Sequence, residues 1–323
     1  MISIIAPAYN NPDEVKSLLE SIKKSEGIDF VFEAIIVDDG SADRAIERVV
    51  EAYDFARCIR LEKNGGAAVA RNTGAKIARF DSLLYLDSDV IVFPDTISKA
   101  KKYFENEDVK AFIGHLDITP QNEGFFPKYK AIMFNSWLPR ENVSTVFTPA
   151  VGGIRKEALL KCGGFDESIR GATVEYVKFS YALREQCAIY FYPDLVVRVK
   201  INSFKKALYT DYYSTMKWVE MFDEYRKFDN HCTSVSGGAG RLLGFISIVS
   251  LPLCVVFKLY ALWACIFAAF FYLNRNFFVL VIKRESPWFL ARAIVTYMIL
   301  SVSTILGGIS GLALIVRKRM KSA

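Results

Sequence analysis

The 323-residue chain is 52% apolar and carries a formal net charge of +6, more apolar than the roughly 45–50% usual for globular chains. After Gly240, ten Lys or Arg face a single acid, a balance of +9, which leaves residues 1–240 at about −3. The basic excess therefore belongs to the tail, and this excludes a folded nucleic-acid-binding domain, which carries its basic patch on the folded part.

From Met1 the chain goes straight into strand-like sequence, without the basic lead of a signal peptide. The apolar run Ile2 to Ala6 predicts a first strand. Asn11 is placed to cap a helix with Pro12 in its first turn, and Val15, Leu18, Leu19 and Ile22 recur at helical spacing. "FEAIIVDDGS" predicts a second strand, followed by a helix through Ile46, Val49 and Val50. "ARCIRLEKN" gives a third strand, "GGAAVARNTGAKIA" a helix with a glycine-rich start, and "SLLYLD" a fourth strand. Strands alternating with helices predict an α/β fold with a doubly wound, mostly parallel sheet.

Farther along, "SFKKALYTDYYSTMKWVEMFDEYRKF" sets Tyr209, Tyr212, Met216, Val219 and Phe222 at helical spacing among Lys205, Lys206 and Lys217. That pattern suits a helix at a membrane interface or one packed on the preceding domain. Residues 242–273 and 288–316 each contain one charge, Lys258 and Arg292 respectively. Either stretch exceeds the ~20 residues that cross a bilayer core, with Pro252 and Lys258 available to kink or fold back the first. The expected organisation is a catalytic domain over 1–201, an interfacial helix and linker over 202–240, and a membrane region over 241–323. The basic end "RKRMK" favours a cytosolic C-terminus, hence a multi-pass cell-membrane protein with its catalytic domain in the cytoplasm. Six cysteines (Cys58, Cys162, Cys187, Cys232, Cys254, Cys265) show no paired spacing and read as reduced. Two histidines, His115 and His231, offer few ligands for zinc.

In such sheets ligands bind beyond the carboxyl ends of the strands. Pro7 and Tyr9 follow the first strand, Asp38 and Asp39 the second, Asn64 and Gly65 the third, and Asp87 and Asp89 the fourth. An acid after a strand is often only a turn residue, but four strand ends share one crevice here. Two carboxylates one residue apart suit a hard divalent cation that in turn holds a diphosphate. The small residues of "NGGAAVARN" let backbone amides meet an anion at a helix start, with Arg71 as a charged partner. The first loop, "APAYNNPDE", is acidic and lacks both the basic glycine-rich grip of a nucleotidyltransferase and the G-x-G-x-x-G of a dinucleotide enzyme.

With "SIIAPAYNNPDEVKSLLESI", "FEAIIVDDGSADRA", "NGGAAVARNTGAKIA", "LYLDSDV" and "GGIRKEALLKCGGFDESIRG", residues 1–200 resemble the family 2 glycosyltransferases of A-type fold. The tail is similar to that of members with C-terminal membrane helices. The resemblance implies that Asp38 or Asp39 reads the base of a nucleotide-diphosphate sugar, uracil by expectation, and that Lys63, Gly65 and Arg71 line the nucleotide and phosphates. It implies that Asp87 and Asp89 place Mn²⁺ or Mg²⁺ on the donor, and that the sugar passes with inversion to a lipid or lipid-linked acceptor at the membrane. Two departures stand out. Where the family shows Glu-Asp, with the Asp as general base, this chain has Glu175-Tyr176, and a tyrosine of pKa near 10 makes a poor base at neutral pH. Where members carry a histidine near the metal, this chain has Val199. Three readings follow: Glu175 serves as the base, the acceptor is a polyprenyl phosphate already ionised, or the protein binds nucleotide sugar without transfer. Gly152 and Gly153, near the acceptor side, are expected to be turn residues or to admit the acceptor.

Overall fold

The computed structural model describes residues 1–27, 30, 32–139, 141–169, 174–227 and 234–322. His231, Cys232 and the Arg170-Gly171 end of the "GFDESIRG" motif lie outside the described residues. The chain forms two compact units, one of residues 1–121 with 139–200 and one of residues 122–138 with 201–323.

The first unit runs β1 (Ile2–Ala8), α1 (Pro12–Lys23), β2 (Phe32–Asp38), α2 (Ala45–Val50), β3 (Ala56–Arg60), α3 (Ala67–Ile77), β4 (Ser82–Leu86), β5 (Val90–Val92), α4 (Thr96–Glu105) and β6 (Ala111–Leu116). After α5 (Phe125–Asn135), which belongs to the second unit, it resumes with β7 (Val143–Ser144), β8 (Val151–Arg155), α6 (Lys156–Lys161), α7 (Glu175–Gln186) and β9 (Ile189–Val199). Among the described residues these strands make one nine-stranded sheet in the order β3-β2-β1-β4-β8-β6-β9-β5, with β7 paired to β9.

The strands β3, β2, β1 and β4 are parallel, which is the half the alternating pattern predicts. Beyond β4 the pairing is mixed: β8 is antiparallel to both β4 and β6, β6 is parallel to β9, and β5 and β7 are antiparallel to β9. Helix α1 forms because Pro12 presets its first turn, Asp13 and Glu14 complement its dipole, and Val15, Leu18, Leu19 and Ile22 bury one stripe. Each of those four side chains contributes at most about 1.5–3 kcal/mol by leaving water. Helix α3 lies close against β1 and β2, because a Cβ at Gly74 would come 2.5 Å from Ile5.

Gly152 and Gly153 are neither turn residues nor an open approach. Both lie within β8, where a Cβ on Gly152 would meet the Phe147 ring at 2.7 Å and one on Gly153 would meet the Phe112 ring at 2.1 Å. They are strand positions against which buried aromatic rings are packed.

The second unit is helical: α5, then α8 (Phe204–Tyr225), α9 (Val235–Val256), α10 (Tyr260–Leu273), α11 (Arg275–Arg284) and α12 (Pro287–Ser322). The apolar stretch 242–273 is therefore two helices rather than one. They part at Lys258, whose φ of 56° is left-handed, and they pack together, with the Trp263 indole donating to the Ser247 carbonyl at 2.9 Å. Two helices, Val235–Val256 and Pro287–Lys321, are long and apolar enough to cross a membrane, and the α10–α11 pair, bent by 80°, has the form of a broken span or a re-entrant loop. Leu251, Leu253, Val255, Leu262, Leu306, Ile309 and Leu312 stay exposed, which suits contact with lipid tails rather than water.

Helices α8 and α12 run side by side in the same direction. Ser303 donates to the Leu208 carbonyl at 2.5 Å, the Tyr212 hydroxyl donates to Ser310 at 2.8 Å, and Lys318 and Arg319 pair with Glu220 and Asp223 at 2.8 and 2.7 Å. Small residues one turn apart on α12 permit this: a Cβ at Gly307 would lie 2.2 Å from the Tyr212 carbonyl oxygen, and one at Gly311 2.8 Å from that of Met216.

Candidate active site

The carboxyl ends of β1, β2 and β4 lie side by side because Ala8 pairs with Asp38 and Ile5 with Tyr85 in register. The loops that leave these ends are tied together by two asparagines. Asn10, at φ 52°, takes the Ala42 amide on its Oδ1 at 2.9 Å and gives its own amide to Ser41 Oγ at 2.9 Å. Asn11 does not cap α1 through its side chain. It accepts from the Tyr9 amide at 3.0 Å and donates to Ser88 Oγ at 2.8 Å, joining the first loop to the Asp-Ser-Asp loop.

The two aspartates after β2 have separate duties. Asp38, fully buried, accepts from the Ser41 amide at 2.9 Å and pairs with Arg60 at 3.4 Å. Asp39 accepts from the Gly65 amide at 2.7 Å and the Gly66 amide at 2.8 Å. Burial raises the Asp39 carboxyl above its ordinary range, with those two amides pulling the other way. Two of the amides that lead into α3, those of Gly65 and Gly66, are therefore held by a carboxylate of the chain. Among the remaining expected nucleotide residues, Pro7 and Gly65 are half-buried, while Tyr9 and Lys63 are exposed. Lys63 makes no hydrogen bond or ion pair among the described residues.

Arg71 joins three elements. Its side chain is 4% exposed, yet it donates NH1 to Glu175 Oε1 at 2.9 Å and NH2 to Asp87 Oδ1 at 3.0 Å, with its guanidinium 5.6 Å from the Phe165 ring centre. Burial works against the charge on Arg71, but Asp87 and Glu175 more than offset it and hold its pKa above the ordinary value. The neighbouring Asn72 grips the segment before α7. Its Nδ2 donates to the Phe165 carbonyl and to Glu167, and its Oδ1 accepts the Phe165 amide.

Glu175, expected as the base, is the first residue of α7 and is 1% exposed with its carboxylate on Arg71. Its Oε1 accepts from the buried Arg71 guanidinium. Tyr176 beside it is half-buried.

Asp87 keeps 35% of its side chain exposed, and Asp89 is half-buried. The backbone here is clamped: the Asp89 carbonyl accepts from the Lys200 amide and from Gln121 Nε2, both at 2.9 Å, and Gln121 Nε2 also donates to the Arg198 carbonyl at 2.8 Å. Val199 pairs with Val90, so the position without a histidine does sit beside the Asp-Ser-Asp loop. Lys200 follows it and bonds Glu14 at 2.7 Å, which raises its pKa, with Asp89 adding to the effect. Among the described residues no group of three or more His, Cys, Asp or Glu is arranged to hold a metal. Two carboxylate oxygens are nonetheless an adequate protein donor set for Mg²⁺ or Mn²⁺, whose shells are completed by waters and substrate phosphates.

The structure thus brings Arg71, Asp87 and Glu175 into direct contact and links Asp39 to Gly65. Asn10, Arg60, Gln121 and Lys200 were missed, since their partners lie far away in sequence, and Asn11 was expected only as a helix cap.

Residues 3–165 match the model of the family described as "Glycosyl transferase family 2". Over 264 residues, 78% of this chain and 86% of the relative, the sequence is 31% identical to an uncharacterized glycosyltransferase of Haemophilus influenzae. Among solved structures, a mannosyltransferase of Pyrobaculum calidifontis in complex with GDP-Man and Mn²⁺ is similar, at a TM-score of 0.59 and 15% identity, over 96% of this chain and 86% of that one. Residues 1–349 of TarS from S. aureus superpose at a TM-score of 0.51 and 19% identity, over 95% of this chain and 91% of that one. At those identities the two structures show a shared fold.

Proposed function

This chain belongs to glycosyl transferase family 2, and from that premise we propose that it moves a sugar, with inversion, from a UDP-linked donor to a lipid or lipid-linked acceptor at the cytosolic face of a membrane. The observation that carries this reading is the Glu175–Arg71–Asp87 chain at the strand ends. It fixes one oxygen of Asp87 and leaves the rest of a partly exposed carboxylate beside Asp89. Those two residues would hold Mg²⁺ or Mn²⁺, which neutralises charge on the departing diphosphate. The Mn²⁺ in the Pyrobaculum calidifontis structure is in keeping with this assignment.

Arg71 acts by positioning. The NH1 bond to Glu175 fixes its guanidinium and the NH2 bond holds Asp87 Oδ1, so the site is arranged before donor arrives. Asp38 and Asp39 hold the loops that flank the base, and Pro7, Tyr9, Gly65 and the exposed Lys63 border the nucleotide. Residues 1–201 are assigned the catalysis, with the helices that follow joining it to the bilayer and the basic C-terminal end in the cytosol.

With Glu175 committed to Arg71 and tyrosine at 176, the acceptor oxygen is best supplied already ionised, as in a lipid phosphate. The test is metal-dependent transfer from radiolabelled nucleotide sugars into lipid extract by the full-length protein, across a pH series. Turnover by Glu175→Gln close to the parent's across the series supports an ionised acceptor. Collapse of turnover with donor binding intact would instead make Glu175 the base, and donor bound by the parent without any transfer would leave a nucleotide-sugar-binding protein.

A further inference from the structure

Away from the strand ends, the helical unit buries a second group of charges. Lys130 of α5, Asp211 of α8 and Arg241 of α9 have side chains only 11, 17 and 12% exposed. Asp211 lies 3.7 Å from the Lys130 ammonium and 3.8 Å from Arg241 NH2, distances of ion pairing rather than of hydrogen bonding. Arg241 stacks 4.4 Å from the Tyr297 ring centre, and its NH2 meets the Met133 sulfur at 3.6 Å. Tyr297 in turn donates to Asn274 at 2.5 Å. Four helices and the Asn274 turn between α10 and α11 therefore converge on one polar centre with two cations against one anion.

Among the described residues that centre is incompletely bonded. Arg241 NH1, Asp211 Oδ2 and the Tyr129 hydroxyl are buried with no hydrogen-bond partner among them, and Tyr129, fully buried, lies within electrostatic reach of Arg241, Asp211 and Tyr297. Burial also lowers the Lys130 pKa, with Asp211 opposing it and Arg241 adding to it. Leaving a charged donor unmatched in such a place is expensive, and a ligand that restores the balance must carry negative charge. It must also donate one hydrogen bond, because Asp211 Oδ2 is an acceptor that lacks a donor. A phosphate monoester meets both demands: its second pKa near 6 leaves a P–OH in part of the population at neutral pH, and basic pockets between membrane helices recognise phosphate headgroups.

We propose that Tyr129, Lys130, Asp211 and Arg241 form a binding site for a phosphate monoester, with Arg241, Lys130 and Tyr129 on its oxygens and Asp211 accepting from its P–OH. The site is built from the helical unit alone, and the argument for it does not use the transfer reaction.

Full-length protein in a neutral detergent is titrated with short-chain phosphatidic acid, with inorganic phosphate and with phosphatidylcholine, and binding is read from the thermal midpoint and by calorimetry. Saturable binding of phosphatidic acid alone identifies a lipid headgroup, whereas equal binding of inorganic phosphate identifies the free anion. Either supports the site if Tyr129→Phe, which removes only a hydroxyl, weakens it about tenfold, and Arg241→Gln by more, in line with hydrogen bonds to charged groups. Should Arg241→Gln fail to fold, Tyr129→Phe and Lys130→Gln decide alone. No binding of either phosphate, or binding indifferent to Tyr129→Phe and Lys130→Gln, overturns the proposal and leaves ordered water as the filling.

Discussion

The bond between Arg71 and Glu175 admits a quantitative test. Arg71→Met leaves a carboxylate that is 1% exposed with its guanidinium partner gone, and Glu175→Leu leaves a guanidinium that is 4% exposed with only the half-accessible Asp87. Breaking a buried pair from one side costs about 3–5 kcal/mol, whereas replacing both partners by apolar groups is often neutral. The double variant should therefore be more stable than either single one, with a coupling energy of about 6 kcal/mol or more. The sheet-bearing unit comprises residues 1–121 and 139–200, a size at which 1 kcal/mol moves the midpoint by roughly 2–4 °C. Each single variant should melt roughly 6–20 °C below the parent and the double variant within a few degrees of it, by differential scanning calorimetry on the purified full-length protein. Additive losses, with a coupling below about 0.5 kcal/mol, would refute the argument that these two residues hold each other.

Three further outcomes are expected. Asp87→Asn should weaken metal-dependent UDP binding at least tenfold by titration calorimetry, and unchanged binding would sink the donor assignment. Gly153→Ala puts a methyl 2.1 Å from the ring of the fully buried Phe112, and overpacking of this kind costs about 1–3 kcal/mol or more, read as a lowered urea midpoint. Asp166 is held down to about 2 by the Lys178 ammonium first and the Ser168 hydroxyl second, against an ordinary 3.8. Its contribution is therefore complete above pH 4 and lost as pH falls toward 2. Because the pair is partly exposed, that contribution is about 1 kcal/mol or less, and Lys178→Gln should narrow the stability difference between pH 5 and pH 2.5.

The parallel half of the sheet was legible because β1, α1, β2, α3 and β4 each announce themselves by local spacing. The antiparallel half was not, since nothing local to "VGGIR" says that it lies between β4 and β6. Glycines there read as turns when they in fact make room for Phe112 and Phe147. Arg71 and Asp87 were visible as residue types at strand and helix ends, but Glu175 lies 104 positions from Arg71, and only the fold reveals that its charge is already matched. The apolar tail was plain from composition, and of the two residues expected to kink or fold it back, Lys258 is where α9 and α10 part, through one left-handed residue. Residues 122–138, expected within the catalytic domain over 1–201, belong to the same compact unit as the later helices, with Lys128 paired to Glu285 at 2.9 Å.

The pairing of α8 with α12 sets an order of events during synthesis. Helix α8 is complete at Tyr225, but the glycines and serines that receive it lie at 303–311 and its ionic partners at 318 and 319. At about 5–20 residues per second, the ribosome needs roughly 4–20 s to deliver them. Throughout that interval α8 lacks the cover that Gly307 and Gly311 give to Tyr212, Met216 and Val219. The helical unit closes from its far end backward, so a chain arrested before Gly307 should display an uncovered α8, open to protease at residues that are protected in the finished protein.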